Sequence, residues 1–344
     1  MIKPVASHLQ NEYLPYAELQ QQPAEWWAQV LGVVCFGEQL PVVNGAVLSV
    51  TLPPLLTAGA ICEVWQSAAP VTSGQEGNIQ YRCNDEFVFG VVTLEEADFS
   101  GDESSSALQL AAALAYRQIV SLLDTLRFPH VVRFWNYMSD INGHSHGLER
   151  YRQFNVGRQA GLLAQGRSVT GGLPAACALG ASAGPLSIAF LAGKVAPIAI
   201  ENPRQLNACA YPPVYGPRSP TFSRAALLPW SGGACLFISG TASIVGHESL
   251  HLGNVVAQTQ EALENIAAVL EVANRQLACG RFDLRDLHYT VYVKHAADLD
   301  KVRAVLNAVA GTDIQVIYLQ ADVCRQELLV EIEAARGLSC TVSA

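Results

Sequence analysis

Strand and helix patterns alternate in a fixed order from residue 236 to residue 333, and this order constrains the fold more than any other feature of the chain. Short apolar runs rich in Val, Ile and Tyr indicate strands, whereas apolar residues that recur every three to four positions indicate helices. The predicted elements are a strand at 236–243, a helix at 254–273, a strand at 287–294, a helix at 298–310, and strands at 314–319 and 328–333. Elements in this order predict a β/α domain in which helices cover a sheet.

The first half of the chain repeats this order. Its predicted elements are a strand at 87–94, a helix at 106–126, a strand at 131–138, a helix at 148–163, and strands at 175–179 and 186–192. The match predicts an ancient duplication with a diverged first copy. We expect an α+β fold of two such domains, each a mixed sheet with helices packed on one face. The predicted division is a first domain at 1–200, a Pro-rich linker lining the site at 201–225, and a second domain at 226–344.

Several segments of the second half match a known superfamily. They are Ser239-Gly240, Gln258 to Ile266, His288 to Val293, Leu299 to Leu306, and Leu328 to Ile332. In this order they resemble the RidA/YjgF superfamily, whose domains are chorismate-mutase-like. The resemblance implies a ligand site in a cleft between adjacent subunits of a trimer. A chain with two such domains either builds the cleft internally or still trimerises, so a monomer and a homotrimer both stay open.

Segments upstream narrow the resemblance to one family. They are residues 133–137, 149–158, 200–205 and 211–224, of which Tyr-Pro-Pro-Val-Tyr-Gly-Pro-Arg-Ser-Pro at 211–220 is the most specific. Together with the second half they resemble the chorismatases, enzymes that remove pyruvate from chorismate and leave a benzoate or a dihydrobenzoate. The resemblance covers residues 30–338 and implies chorismate as the small-molecule substrate.

Chorismate carries an enol ether, and its cleavage requires an acid that protonates a carbon atom. A carboxyl group whose pKa is raised by an apolar pocket can do this near neutral pH. Glu331, within the apolar run from Leu328 to Ile332, matches the functional glutamate of the family and is the predicted general acid. Strand alternation places Glu331 and Glu333 on one face, so a solvated strand residue is the alternative.

Two further positions bear on the product. By resemblance, chorismatases divide into types at positions that correspond here to Gly240, with Ala242 as the alternative, and to Cys324. Glycine and cysteine accompany internal rearrangement to an aromatic hydroxybenzoate, whereas alanine at both accompanies hydrolysis to a dihydrodiol. The resemblance therefore implies 3-hydroxybenzoate and 4-hydroxybenzoate as products. It also gives the Cys324 thiol a role in assisting the departing hydroxyl or proton.

Arginine dominates the basic residues, since 17 of 21 are arginine and nine of these lie between Arg127 and Arg224. The planar guanidinium binds carboxylates in bidentate fashion, which lysine cannot do, so the group predicts a site for a multiply anionic small molecule. The candidates for the ring carboxylate are Tyr211, Tyr215, Arg218 and Arg224, and those for the pyruvyl carboxylate are Arg150 and Arg158. The alternative for Arg150 and Arg152 is a surface ion pair with Glu149 or Asp140.

Composition limits the partners and the compartment. A net charge of −9 argues against nucleic acid and anionic membranes. Nine scattered cysteines without a CxxC pair, and no apolar segment in residues 1–8, predict reduced thiols in the cytoplasm. The apolar stretch at 173–200 is broken by glycine and proline, so we expect a buried hairpin and no membrane helix.

One motif points to a different chemistry. His247-Glu248-Ser249-Leu250-His251 matches the zinc pattern HExxH, but Gly246 and Gly253 bracket it, so we expect a loop and no metal. No cofactor motif is present. The alternative functions are a RidA-type imine deaminase, which the lack of arginine at 312–315 disfavours, and a small-molecule sensor without catalysis.

Overall fold

The computed structural model describes residues 9–38, 45–230, 232–278 and 280–339. The strands before the first long helix are β1 (Leu9–Pro15), β2 (Val30–Phe36), β3 (Val47–Val50), β4 (Ile61–Ser67), β5 (Thr72–Glu76), β6 (Ile79–Cys83) and β7 (Phe87–Leu94). The next are β8 (His130–Ser139), β9 (His144–Ser145), β10 (Leu148–Glu149), β11 (Ala175–Ala181), β12 (Leu186–Gly193) and β13 (Ile198–Ile200). The last are β14 (Ala225–Trp230), β15 (Gly233–Thr241), β16 (Ile244–Val245), β17 (Glu248–Ser249), β18 (His288–Val293), β19 (Gln315–Gln320) and β20 (Val330–Ser339).

The helices lie between these strands. They are α1 (Tyr16–Leu19), α2 (Ala24–Trp27), α3 (Ala107–Leu126), α4 (Arg150–Ala164), α5 (Val255–Asn274) and α6 (Leu299–Ala310). The long helices begin where the sequence provides a cap. The Ser106 hydroxyl accepts a hydrogen bond from the Gln109 amide, and the Asn254 side chain accepts one from the Ala257 amide.

Three sheets form the body of the protein. The amino-terminal sheet has the order β1-β4-β2-β3, the first six-stranded sheet has the order β11-β8-β12-β7-β6-β5, and the second has the order β13-β14-β15-β20-β18-β19. The six-stranded sheets share a plan, since β11-β8-β12-β7-β6 corresponds strand by strand to β19-β18-β20-β15-β14. In each, the strand after the second helix pairs in parallel with the strand before it. The predicted α+β class is confirmed.

The amino-terminal sheet precedes both copies of this plan. The sequence pattern did not predict it as a separate sheet and included its residues in the first domain. Its strands lack the alternation with long helices that marks the two repeats. The division at residues 200 and 225 stays a prediction.

Helices and sheets enclose separate apolar cores. Helices α3 and α4 cover the outer face of the first six-stranded sheet, and α5 and α6 cover that of the second. The inner faces of all three sheets meet in a shared core, where Trp65 of the amino-terminal sheet stacks on Phe237 of the second six-stranded sheet with ring centroids 5.0 Å apart. An inward-pointing polar residue of any sheet is therefore buried among the other two.

The apolar stretch at 173–200 forms strands as expected, but the predicted hairpin is wrong. Strands β11 and β12 do not pair with each other, because β8 lies between them and pairs with both. The stretch is apolar because its strands are buried within a sheet that helices cover. No helix in the described residues is long and apolar enough to cross a membrane.

The expectation that all thiols are reduced is wrong for one pair. Cys35 on β2 lies directly opposite Cys62 on β4, and the two form a disulfide. Adjacent antiparallel strands bring these β-carbons together, which spacing along the sequence did not reveal. Cys279 and Cys340, and residues 1–8 where no signal segment is expected, lie outside the described residues.

Candidate active site

A cavity of about 240 Å³ opens between the two six-stranded sheets. The first half of the chain contributes His144, Glu149, Tyr151 and Arg152, and residues 205–224 contribute Gln205, Tyr211, Tyr215, Pro220, Phe222 and Arg224. The second half contributes Gly240, Ala242, Ile244, Cys324, Arg325, Gln326, Glu327 and Glu331. Residues from both halves of the chain and from the segment between them therefore line the same cavity.

Glu331 lies at the inner wall of this cavity on β20. Strand alternation turns Val330 and Ile332 toward the core under α5 and α6, and it turns Glu331 toward the inner face of the sheet. Glu331 is 3% exposed, so it is not a solvated strand residue. Burial raises the pKa of Glu331 to about 8, with a further increase from Glu333 and a smaller opposing effect of Arg133. The carboxyl is therefore mostly protonated at neutral pH.

Gly240 faces this carboxyl from β15. A β-carbon at position 240 would overlap the Glu331 Oε1 atom and would lie 3.3 Å from the Cys177 β-carbon. The missing side chain is thus what lets the carboxyl lie across the backbone of the neighbouring strand. The pairing of β15 with β20 shifts register between Ile238 and Thr241, where Gly240 stands. Ala242 also lines the cavity and is buried.

Cys324 lies on the same side of the cavity, in the segment between β19 and β20. Burial raises the pKa of the Cys324 thiol well above its ordinary value, and the nearby Glu331 raises it further. The group is therefore a neutral thiol, which can donate a hydrogen bond but is a poor nucleophile.

Three arginines line the cavity. Arg224 donates hydrogen bonds to the Tyr211 hydroxyl at 2.9 Å and to the Leu206 carbonyl at 2.8 Å, while its Nε atom has no protein partner in the described residues. Arg325 lies over the ring of Tyr215 at 4.1 Å. Arg152 pairs with Glu149 at 3.1 Å, which is one of the ion pairs expected from the sequence. Both residues face the cavity and not the outer surface.

The other predicted arginines lie elsewhere. Arg150 pairs with Glu96 and donates to the Ser139 carbonyl, and neither Arg150 nor Arg218 lines the cavity. Arg158 is 2% exposed and donates to Asn155 at 2.7 Å, behind the cavity wall. Arg158 has no carboxylate partner in the described part of the chain, which is unusual for a buried guanidinium.

The sequence reading missed Arg325 and treated Arg152 only as a surface ion pair. Arg325 follows Cys324 directly, so its position next to a proposed site residue was the available signal. Its partners are the His247 carbonyl at 2.9 Å and the Ser249 hydroxyl at 3.0 Å, and both lie far away in sequence.

The HExxH match is not helical, as predicted. Gly246 and His247 form the turn between β16 and β17, and His251 has a φ of 57°. His247 Nδ1 lies 3.3 Å from the Tyr215 hydroxyl, whereas His251 Nε2 lies 3.2 Å from Glu261. The two imidazoles therefore have different neighbours and do not share one helix face, which the zinc motif requires.

Comparisons with known proteins agree on one family. Residues 63–192 match the family model described as "Chorismatase FkbO/Hyg5-like, N-terminal". A chorismatase from Streptomyces hygroscopicus is 38% identical over 312 residues, which cover 88% of this chain and 88% of the relative. A 3-hydroxybenzoate synthase from the same organism is 35% identical over 286 residues, with 80% and 82% covered. The crystal structure of a chorismatase at 1.08 Å resolution superposes with a TM-score of 0.83 and 35% identity, over 97% of this chain and 99% of that one.

Proposed function

The chain belongs to the chorismatase family, and we propose that it cleaves chorismate to pyruvate and an aromatic hydroxybenzoate, chiefly 3-hydroxybenzoate. The observation that carries this proposal is a buried, protonated carboxyl on the wall of an arginine-lined cavity. Glu331 supplies the proton, and the arginines supply the charge that a dianionic substrate needs.

The reaction begins with transfer of the Glu331 proton to the terminal methylene of the enolpyruvyl group. The product of this step is an oxocarbenium ion, and its formation weakens the bond between ring carbon and ether oxygen. For 3-hydroxybenzoate, pyruvate leaves with the electron pair of its bond to the ring, while the C4 hydroxyl oxygen bonds to the carbon that carried pyruvate and returns its proton to the Glu331 carboxylate. Breaking of the C4–O bond with protonation of the oxygen, and loss of the proton from the carbon that now carries it, give the aromatic acid with no net consumption of water. A carboxyl with a pKa near 8 holds its proton until the substrate arrives, and its low-polarity surroundings favour the proton transfer.

Gly240 and Cys324 support rearrangement rather than hydrolysis. The space above Gly240 lets the Glu331 carboxyl lie across the strand, and an alanine there would displace it. We propose that the carboxyl position permitted by Gly240 leaves room in the cavity for the ring to shift, so that the substrate's own C4 oxygen migrates and becomes the phenolic oxygen. The neutral Cys324 thiol on the same wall is placed to assist the departing hydroxyl or proton.

Arginines on the cavity wall support recognition of an anionic substrate. Arg224 lines the cavity beside Tyr211, and these two residues are the proposed pair for the ring carboxylate. Arg158 does not line the cavity, so its sequence-based assignment to the pyruvyl carboxylate stays a prediction.

Turnover of chorismate tests the proposal. The purified protein is expected to abolish the ultraviolet band of chorismate and to release pyruvate and 3-hydroxybenzoate in equal amounts. In ¹⁸O-labelled water the phenolic oxygen should remain unlabelled. Absence of pyruvate release would overturn the proposal in favour of a binding protein, and a dihydrodiol as sole product would overturn the role given to Gly240 and Cys324.

We propose that the enzyme acts as a monomer, because both halves of one chain contribute residues to the cavity around Glu331. A linear dependence of rate on protein concentration, together with the monomer mass by analytical ultracentrifugation, is the expected result. Activity confined to a trimer would contradict it.

A further inference from the structure

A buried charged network lies where the three sheets meet, beyond the wall that carries Glu331. The Arg133 guanidinium on β8 pairs with the Glu333 carboxylate on β20 and donates to the Ile238 carbonyl at 2.6 Å. The Tyr292 hydroxyl on β18 donates to the other Glu333 oxygen at 2.6 Å, and the Tyr137 hydroxyl lies 3.1 Å from Tyr292. Arg133 and Glu333 are 2% and 3% exposed, so this pair is screened very little by solvent.

This network adjoins the proposed acid through the strand itself. Glu331 and Glu333 are two residues apart and point to the same face of β20. Tyr292, which donates to Glu333, lies directly opposite Glu331 in the ladder. Among the described residues, no side chain donates a hydrogen bond to Glu331, so its carboxyl is influenced by charge and burial instead of by a direct partner.

We propose that Glu333 is a positioning residue that keeps Glu331 in its protonated form. By pairing with Arg133, Glu333 neutralises the guanidinium charge that would otherwise favour ionisation of Glu331. This inference rests on the proposed role of Glu331 as general acid. It assigns a function to residues that line no part of the cavity and do not touch the substrate.

The balance of charges supports this role. Glu333 raises the pKa of Glu331, and Arg133 lowers it, so the pair has opposing effects that leave burial as the main cause. Removal of Glu333 alone would leave a buried guanidinium near Glu331, and an opposite charge at such range stabilises a carboxylate. Glu63, on β4, is a third buried carboxyl of this junction, and burial followed by the charge of Glu333 raises its pKa to about 8. One cation, one carboxylate and two neutral acids make the junction electrically neutral.

Other titratable groups also face Glu331. They are Glu333, Arg133 on β8, Cys177 on β11, Tyr151 on α4, Tyr292 on β18, and Cys324 in the segment before β20. Burial raises the pKa of each of the two thiols and of both tyrosines, so these four groups are neutral at the pH of interest. Among the described residues, Glu333 and Arg133 are the groups that carry full charges at neutral pH on the side of Glu331 away from the cavity.

The pH dependence of kcat tests the inference. In the wild type, kcat on chorismate should fall as Glu331 ionises on the alkaline side. Glu333→Gln should move that alkaline limb to lower pH by roughly 1–3 pH units, the usual effect of an unneutralised cation on a carboxyl. At pH 8 its kcat should fall at least about fivefold, since lowering the pKa from about 8 by one pH unit reduces the protonated fraction from about one half to about one tenth. At pH 5 its kcat should approach that of the wild type.

Two variants serve as controls. In the double variant Arg133→Gln, Glu333→Gln both charges are gone, so the limb should return most of the way to its wild-type position. Glu63→Gln removes a buried acid of the same junction but leaves Arg133 paired with Glu333, so it should displace the limb far less than Glu333→Gln does. The double variant also keeps the test decisive if Glu333→Gln folds poorly, because it contains no unpaired buried charge.

The inference would be overturned if the alkaline limb of the kcat profile stays in place in Glu333→Gln. It would also be overturned if this variant loses kcat equally at pH 5 and pH 8, because the ion pair would then have only a structural role. An equal displacement of the limb in Glu63→Gln would also overturn it. A wild type that does not cleave chorismate would instead refute the proposed function, so the two failures are distinguishable. The carboxyl stretching band of Glu331, identified by its loss in Glu331→Gln, should titrate with the same displacement in infrared spectra recorded without substrate.

Discussion

The two six-stranded sheets share one strand order, yet they differ at the position that matters for chemistry. In the second sheet, β20 places Glu331 opposite Tyr292 of β18. In the first sheet, Ser187 lies opposite Tyr137 on β12 and β8, the strands that correspond to β20 and β18 in the common plan. Both side chains are buried, at 3% exposure each. The shared topology therefore determines which face of the sheet a side chain points to, whereas the residue type determines whether that side chain is an acid.

Each copy contributes charged groups to the cavity or to the buried network beside it. The second sheet supplies the buried acids Glu331 and Glu333, and the first supplies Arg133 from β8 and Arg152 from α4. Two residues after Ser187 stands Ala189, opposite Trp135, so β12 has no acid at this point to pair with a cation. The site thus exists only where the two copies face each other.

The largest expected effect follows from removing the acid of the second sheet. Glu331→Gln should lower kcat for pyruvate release about 100-fold or more, because general acids contribute at least this much. Binding of an aromatic dicarboxylate should change little, since the acid acts mainly in the transition state. Steady-state kinetics and calorimetry measure the two quantities.

The counterpart Ser187→Ala is the matched control for this prediction. It removes a buried polar group on the corresponding strand of the first sheet and should keep kcat near the wild-type value. A comparable loss of kcat in both variants would contradict the distinction between the sheets. So would a Glu331→Gln variant that keeps more than about a tenth of the wild-type kcat.

A smaller effect is expected at the arginines. Arg224→Met should lower kcat/KM by roughly 10-fold to 100-fold, mostly through KM, because charge-assisted hydrogen bonds contribute about 1.5–3 kcal/mol. Arg150 pairs with Glu96 outside the cavity, so Arg150→Met should change KM far less. An equal rise of KM in both variants would support the sequence-based assignment of Arg150 to the substrate.

The acid of the second sheet should also reduce stability at alkaline pH. The unfolded chain releases the Glu331 proton near pH 4.5, whereas the folded protein holds it to a pKa of about 8. The folded state binds more protons between these values, so the wild type loses stability as the pH rises through this window. Between pH 5 and pH 8.5 the wild type should therefore lose about 4 kcal/mol of stability relative to Glu331→Gln.

Denaturant unfolding at the two pH values measures this difference. Ser187→Ala again provides the control. Ser187 does not titrate, so the pH dependence of the free energy of unfolding should be the same in this variant as in the wild type. A Glu331→Gln variant with an unaltered pH profile would mean that Glu331 is ionised in the folded protein.

The smallest effect on rate, but a clear one on products, is expected from Cys324→Ala. The thiol lies on the cavity wall and is neutral, so its loss should alter the partition of products more than kcat. The mixture should shift from 3-hydroxybenzoate toward 4-hydroxybenzoate or a dihydroxy-dihydrobenzoate, as measured by liquid chromatography. Unchanged product ratios would remove Cys324 from the rearrangement.

Much of the fold was readable from the sequence because hydrophobic periodicity records local burial. The helix expected at 254–273 is observed at Val255–Asn274, and the strand expected at 87–94 is observed at Phe87–Leu94. Pairing partners were less accessible, since the expected hairpin at 173–200 is split by β8. Which strand lies between two others is decided by contacts distant in sequence, and periodicity does not encode them.

The same limit applies to the cavity. Glu331, Gly240 and Cys324 were identified through a family resemblance, and the structure brings all three to one wall. Arg325 was missed because its position depends on Tyr215 and on the turn at His247, which lie in other parts of the chain. The network around Arg133 was also invisible in the sequence, since its members come from strands of different sheets.

A crystal structure of the Glu331→Gln variant with chorismate would test most directly whether the acid of the second sheet works on a substrate held by both copies. The account predicts intact chorismate in the cavity, with its terminal methylene carbon about 3–3.5 Å from the side-chain amide introduced by the substitution. It also predicts the ring carboxylate at Arg224 and Tyr211. Chorismate bound with its enolpyruvyl group directed away from β20, or bound outside this cavity, would contradict the account.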